Sequence, residues 1–197
     1  SHLLQDPVKR VAHEESATRD RLDNQKSRFA SYLISNNTKV SFLVFSLGVT
    51  WGIGTGLLLF SNGIFLGATI ADYVGAGQTR FMTGWLLPHG SIEIPAILLA
   101  GQAGFILAAA IIGRQQPITL KTRLRLISSD ILTLLGSVVI MLIWAGIIEA
   151  FLSQYHEPFI SYSLKIGFGC FQLIFLVLFL SLSGRSSPRF PDPERRQ

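Results

Sequence analysis

Long apolar stretches separated by short polar segments run through most of this chain. Four of them hold eighteen or more mostly apolar residues: 40–60, 91–112, 131–151 and 162–183. A helix of about 20 residues crosses a bilayer core of about 30 Å, so each stretch predicts a membrane-spanning helix. The pattern therefore predicts an all-α fold, a polytopic transmembrane helix bundle with four spans.

A weaker apolar segment, residues 63–74, lies between the first two stretches and contains Asp72. It is too short to cross a bilayer, and segments of this length are commonly re-entrant, interfacial or buried inside a bundle. We expect a short re-entrant or interfacial helix here, and the pattern leaves both possibilities open.

The two ends of the chain differ from its apolar middle. Apolar residues near the start fall roughly at helical spacing: Leu22, Phe29, Tyr32 and Leu33. Residues 1–38 are therefore predicted to be a cytoplasmic segment, either an amphipathic helix or a solvated linker. Residues 39–183 are predicted to form the transmembrane helical domain. The last segment, 184–197, contains three prolines and two serines and predicts a disordered cytoplasmic tail.

Composition supports a membrane protein and argues against a soluble enzyme. The 197 residues are 49% hydrophobic and only 15% charged, whereas soluble domains carry about 25% charged residues. The single cysteine, Cys170, excludes an intramolecular disulfide and a cysteine-rich zinc module. No Ser-His or paired-aspartate arrangement occurs within the spans, so we expect no enzymatic activity and no cofactor.

Basic residues indicate how the chain is oriented. In the predicted topology, 15 of the 17 Lys and Arg residues lie on one side, which leaves Arg80 and Lys165 for the other. Because Lys and Arg are enriched in cytoplasmic loops, both termini are predicted to be cytoplasmic. Lys165 is expected to extend its stem to the membrane interface. The net charge of +5 therefore reflects orientation, and we expect no nucleic-acid binding.

The most unusual polar segment surrounds a histidine between two prolines. Pro88 is expected to end one helix and Gly90 to begin the second span, with Pro95 in its first turn. Glu93 would then cap free amides at the start of that span. His89 lies four residues earlier and would share a helix face with Glu93 if the helix began at Pro88, which predicts an ion or proton pair.

Glu149 is predicted to lie on the same extracytoplasmic side, near the end of the third span and within reach of Glu93. An unpaired ionisable residue in a span costs about 3 kcal/mol, which makes such a residue a functional hypothesis. Asp72 and His156 are predicted to lie on that side as well, but no metal-ligand motif such as His-Glu-x-x-His occurs, so no metal site is predicted. Asp130 is expected to cap the third span.

Glycines recur at spacings typical of close helix packing. Gly48, Gly52 and Gly56 follow one another at four-residue intervals, and Gly101 and Gly104 lie in the second span. Small residues let helices approach closely in lipid, so these positions predict close contacts within or between chains.

Five short motifs follow one another along the chain: Asn36-Asn37, Asn62-Gly63 with Gly67, Leu87-Pro88-His89-Gly90 with Glu93 and Pro95-Ala96, Ala100-Gly101 with Gly104, and Ile148-Glu149-Ala150-Phe151. Their order resembles that in the stage II sporulation protein M family of integral membrane proteins. The resemblance covers residues 36–183. It implies a multi-pass protein of the bacterial plasma membrane without an established enzymatic activity. It also suggests four polar positions as a candidate site: Asn62, His89, Glu93 and Glu149.

Two functions follow from this reading. The resemblance implies a membrane scaffold or assembly factor, because the name-giving member resembles a scaffold for peptidoglycan-degrading partners. The alternative is a small oligomeric channel or transporter with a path lined by His and Glu, since broken segments and buried carboxylates recur in transporters. The expected partners are the lipid bilayer, further copies of the chain and other envelope membrane proteins.

Overall fold

The computed structural model describes residues 6–15, 26–113, 118–155, 157 and 159–183. Its helices are α1 (Pro7–Glu15), α2 (Lys26–Ser46), α3 (Ile53–Gly75), α4 (Thr79–Ile112), α5 (Leu120–Ile148) and α6 (Tyr162–Leu182). A 3₁₀ turn, Leu47–Thr50, follows α2, and a π-helical turn, Glu149–Ser153, extends α5. The described residues contain no strand, so the predicted all-α class is confirmed. The predicted tail, 184–197, lies outside the described residues.

Among the described residues, four helices are long and apolar enough to cross a membrane: Ile53–Gly75, Thr79–Ile112, Leu120–Ser153 and Tyr162–Leu182. The predicted number of long apolar helices is therefore confirmed, but the predicted first span, 40–60, is wrong. The chain breaks inside it, because Trp51 and Gly52 adopt left-handed conformations with φ of 56° and 82°. Residues 63–74 belong to the long helix α3, so the prediction of a separate short helix there is also wrong.

The bundle has two ends that can be defined by contacts. At the first, the Tyr162 end, Tyr73 of α3 and Phe81 of α4 pack with Tyr162 of α6, and Val11 of α1 joins this cluster. At the second, the Arg123 end, the Arg123 side chain donates a hydrogen bond to the Ala110 carbonyl oxygen (2.6 Å), which ties α4 to α5.

Helix α2 runs along the bundle from the Tyr162 end towards the Arg123 end. Ile34 lies against Gly146 of α5, and Val44 lies against Gly104 of α4. The helix passes without interruption through the predicted domain boundary at residue 38. Its hydropathy is low for a span, yet its position is that of a fifth helix of the bundle.

This path separates the two described ends of the chain. Helix α1 packs at the Tyr162 end, where α6 begins, whereas α6 ends at Leu182 on the opposite side of the bundle. Lys9 and Arg10 therefore share an end with Arg80 instead of with Arg123. The sequence predicted 15 basic residues on one side of the bundle and two on the other. The packing of α1 conflicts with that prediction, because α2 runs along the bundle and leaves α1 at the Tyr162 end.

Helix α4 continues through both of its prolines. The predicted helix boundary at Pro88 and Gly90 is therefore wrong, as is the placement of Pro95 in a first turn. Prolines are tolerated inside membrane helices when the surrounding bundle re-satisfies the backbone groups that they disturb. Beside the first proline, the Gln172 side-chain amide of α6 donates to the Pro88 carbonyl oxygen (2.8 Å), which joins α6 to α4 at this point.

Two further predictions about helix ends are corrected. Asp130 lies inside α5, whose N-terminal cap is Thr119, with its hydroxyl oxygen accepting from the Thr122 amide (3.3 Å). Lys165 does not reach the interface but is fully buried. Its ammonium group donates to the carbonyl oxygens of Ser153 (3.0 Å) and Tyr155, so the turn after α5 supplies the partners that water would otherwise supply.

The glycines bring the break after α2 into contact with α4. A Cβ atom on Gly48 would lie 2.9 Å from Gly104 Cα, and one on Gly101 would lie 2.7 Å from a methyl group of Leu59. Gly52 combines its positive φ with a close approach to Phe105, since a Cβ atom there would lie 3.1–3.3 Å from the Phe105 ring. By contrast, a Cβ atom on Gly56 would have one distant neighbour at 4.0 Å, one on Gly63 would meet nothing within 4 Å, and one on Gly90 would first meet side chains of its own helix.

Gly52 is expected to tolerate leucine poorly. The Gly52→Leu variant combines a strained left-handed conformation with a clash against Phe105, so we expect it to lose about 1–3 kcal/mol of stability. Thermal unfolding in detergent measures the loss. Gly63→Leu is the matched control, because Gly63 has open space around it; equal melting of the two variants would contradict the prediction.

Candidate functional site

A histidine and two glutamates converge inside the bundle. His89 and Glu93 come from α4, and Glu149 begins the π turn after α5. One ligand atom from each side chain lies within 4.8 Å of the other two. His89 is 4% exposed, Glu149 is 9% exposed, and Glu93 is half-buried. We call these three residues the His-Glu-Glu cluster.

Local structure explains why the three side chains meet. His89 and Glu93 are four residues apart, and because α4 is continuous here they lie on one helix face. Helix α5 packs on α4 through small and branched side chains: Ala96, Ala100, Val138 and Leu142. This antiparallel pairing carries the end of α5, and with it Glu149, to the level of His89.

The π turn contributes a second contact to the cluster. His89 Nδ1 lies 3.1 Å from Ser153 Oγ, at the other end of the turn that begins with Glu149. The His89 ring also meets Trp85 edge-on, with 5.4 Å between ring centroids. Single π turns inside α-helices are frequent at functional sites. The imidazole is therefore held in one orientation from two sides.

A polar bridge supports α4 beside the cluster. Gln172 donates to the Pro88 carbonyl oxygen (2.8 Å), and its own carbonyl oxygen accepts from Trp144 Nε1 (2.8 Å). One amide therefore links α4, α5 and α6 at the residue next to His89.

The two carboxylates have no protein partner. Among the residues that the structure describes, no donor hydrogen-bonds to Glu93 or Glu149, and the ion pairs involve other acids. Two buried negative charges at this distance repel strongly in a low-dielectric surrounding. A cation between the two carboxylates would offset this repulsion.

Two cavities adjoin the cluster. One, of about 320 Å³, is lined by Glu149 and reaches Arg10 and Glu14 of α1. The other, of about 240 Å³, is lined by His89, Glu93 and Asn62. The cluster thus lies between a cavity at the Tyr162 end and one beside α3.

The structure brings together three of the four candidate residues, His89, Glu93 and Glu149, and places the fourth in the adjoining cavity. Asn62 donates to the Leu58 carbonyl oxygen of its own helix (2.8 Å) and does not contact the cluster through that group. Asp72 is exposed and outside the cluster, and His156 lies outside the described residues.

The predicted cap role of Glu93 is wrong, because α4 begins at Thr79 and Glu93 lies well inside the helix.

Sequence reasoning missed the supporting residues Ser153, Lys165 and Gln172. Gln172 carried a signal, since it is an amide in the apolar middle of α6. Ser153 carried none, because its contact with His89 depends on the π turn.

Comparison with known proteins identifies the family of this chain. The sequence profile of stage II sporulation protein M matches residues 2–154. The match includes the N-terminal segment, which the motif resemblance had left out, and it ends before α6. An uncharacterized protein of Methanocaldococcus jannaschii is 35% identical over 74 residues, which are 37% of this chain and 42% of that relative. No solved structure matches the chain significantly. Because the family profile covers most of the sequence, the chain belongs to the stage II sporulation protein M family.

Proposed function

We propose that this membrane protein binds a cation at the His-Glu-Glu cluster and passes it through the bundle, as a small channel or transporter. The observation that carries the proposal is the position of two unpartnered carboxylates between two cavities. Ionisable residues inside membrane proteins mark ion pathways when they face the bundle interior. Transporters also bind ions where helices are irregular, as at the π turn here.

Glu93→Gln should fold normally and lose ion flux, while Glu93→Asp should keep part of it. Glutamine retains the size and an acceptor oxygen but removes the charge that a cation requires. The measurement is flux of protons and of mono- and divalent cations into proteoliposomes. Asp72→Asn is the matched control, since it removes an exposed carboxylate outside the cluster. A fully active Gln variant would remove the ionised carboxylate from the mechanism.

For the localisation, we propose the plasma membrane of a bacterium, with the Arg123 end in the cytoplasm. Lys121, Arg123 and Arg125 follow α4 at that end, and basic loops are retained on the cytoplasmic side. The packing of α1 supports an N-terminal helix on the opposite side.

Cysteine labelling in intact cells tests this orientation in a Cys170→Ala background. Val8→Cys and Thr79→Cys should react with an impermeant reagent from outside, and Lys121→Cys should react only after lysis. All three positions are exposed. Protection of Val8→Cys in intact cells, with labelling of Thr79→Cys, would instead place the N-terminus in the cytoplasm.

A second candidate function, a membrane scaffold assembled from copies of this chain, is favoured by the surface of α2. Ser35, Asn36 and Lys39 form an exposed polar stripe on a helix that lies along the spans. A lysine facing lipid at mid-depth costs about 3 kcal/mol, so a second copy covering this stripe would be stabilising. Such an oligomer supports the scaffold role that the family resemblance implies.

Cross-linking tests the interface between copies. In a Cys170→Ala background, Asn36→Cys should form a disulfide-linked dimer in membranes, whereas Leu132→Cys, on the exposed face of α5, should not. Equal cross-linking at both positions would indicate random collision and contradict the interface.

A further inference from the structure

We infer that the His-Glu-Glu cluster is a three-ligand site for a divalent transition-metal ion such as Zn²⁺ or Fe²⁺. This inference rests on the proposed function, because it names the ion class for the same site. Mg²⁺ and Ca²⁺ prefer sites made of oxygen ligands alone, whereas imidazole suits Zn²⁺, Fe²⁺ and Ni²⁺. The ligand set here is one imidazole and two carboxylates, His89, Glu93 and Glu149.

The distances allow such a site with small movements. The ligand atoms lie within 4.8 Å of one another. A tetrahedral ion with bonds of about 2.0–2.2 Å holds its ligands about 3.4 Å apart. Rotation of the Glu93 and Glu149 side chains can bring the ligand atoms to this shorter distance, since neither carboxylate is held by another protein group among the described residues.

Charge also favours a divalent ion. A neutral imidazole and two carboxylates carry a charge of −2, which a divalent cation cancels. Isolated charges are costly in a low-dielectric interior, and a neutral complex avoids that cost. Among the three ligand groups, a monovalent ion would leave one negative charge, and the buried ammonium group of Lys165 is already bonded to the carbonyl oxygens of Ser153 and Tyr155.

Ser153 acts as a positioning residue for the histidine ligand. Its hydroxyl group bonds Nδ1 (3.1 Å), so we assign metal binding to Nε2. Partners of this kind fix the orientation of a ligating histidine. Buried Lys165 in turn holds the Ser153 carbonyl oxygen (3.0 Å), which fixes the turn that presents Ser153.

The site keeps an open position for exchange. Three protein ligands leave at least one coordination position for water, as in catalytic zinc sites. The 240 Å³ cavity borders His89 and Glu93, and the 320 Å³ cavity borders Glu149. Water or an incoming ion can therefore reach the metal from the cavities, which suits transient binding better than a closed structural site.

Calorimetry on the purified, chelator-treated protein in detergent tests the inference. Zn²⁺ should bind at one ion per chain, and Mg²⁺ and Ca²⁺ at the same concentrations should not. Bound Co²⁺ should show visible absorption bands that report nitrogen and oxygen ligands. These measurements need no transport activity.

Ligand variants then identify the site. His89→Asn keeps a polar atom near Ser153 and removes Nε2, while Glu93→Gln and Glu149→Gln remove one charge each. Loss of a supporting partner alone costs about 10–100-fold in metal affinity, so each ligand variant should lose at least about 100-fold and Ser153→Ala about 10-fold. Asp72→Asn should bind as the wild type does. Circular dichroism and size-exclusion chromatography check folding, and Glu93→Gln, at a half-buried position, keeps the test valid if His89→Asn fails to fold.

The outcomes separate this inference from the proposed function. Absence of Zn²⁺ binding in the wild type, or binding that all three ligand variants retain, would overturn the metal site. Flux of protons or Na⁺ without Zn²⁺ binding would overturn the inference and leave the proposed function standing. Zn²⁺ binding that requires the three ligands, in a protein that conducts no ion, would support the inference and contradict the proposed function.

Discussion

Replacing Gly48 with alanine should destabilise the bundle by about 3 kcal/mol, at the upper end of the usual cost of overpacking. A Cβ atom there would lie 2.9 Å from Gly104 Cα and would overlap its carbonyl oxygen. The obstacle is helical backbone, which cannot rotate away as a side chain can. The break after α2 would have to separate from α4, and this contact joins the N-terminal part of the chain to the bundle.

Gly136→Ala is the matched control for Gly48→Ala. A Cβ atom at Gly136, in α5, would meet nothing within 4 Å. Alanine is favoured over glycine inside helices by about 0.5–1 kcal/mol, so this variant should be as stable as the wild type or more stable. Thermal unfolding in detergent, followed by circular dichroism, compares the two. Similar melting temperatures would show that the close approach of Gly48 to Gly104 does not hold the fold.

Hydropathy predicted α6 closely and the ends of α4 and α5 approximately, but it predicted neither the starts of α4 and α5, at Thr79 and Leu120, nor the break near Gly52. Residues 40–60 are uncharged throughout, so their hydropathy contains no sign of an interruption. The interruption comes from backbone conformation at Trp51 and Gly52 and from contact with α4. The length of the helix that contains residues 63–74 was underestimated, because Asp72 lowers the local mean hydropathy near the end of α3 without ending the helix.

The candidate site shows the same division between local and long-range information. The four-residue spacing of His89 and Glu93 was visible in the sequence, and antiparallel order placed Glu149 nearby. Pro88 concealed the continuity of α4, since proline normally breaks a helix unless other helices bond the disturbed backbone. The ligands come from two helices, so no linear metal motif could reveal them.

Gln172→Leu should destabilise the protein by about 1–2 kcal/mol, the upper range for interhelical hydrogen bonds in membranes. Leucine has a similar volume but bonds neither the Pro88 carbonyl oxygen nor Trp144 Nε1. Pro88 directly precedes His89, so the change should also weaken Zn²⁺ binding at the cluster. Gln102→Leu is the matched control, because Gln102 is an exposed amide on α4 and should tolerate the change. Melting in detergent and Zn²⁺ calorimetry give the two readouts. A Gln172→Leu variant that loses stability but binds Zn²⁺ at wild-type strength would limit the role of Gln172 to helix packing. A variant that keeps both its stability and its Zn²⁺ affinity would show that the bridge between α4, α5 and α6 contributes to neither.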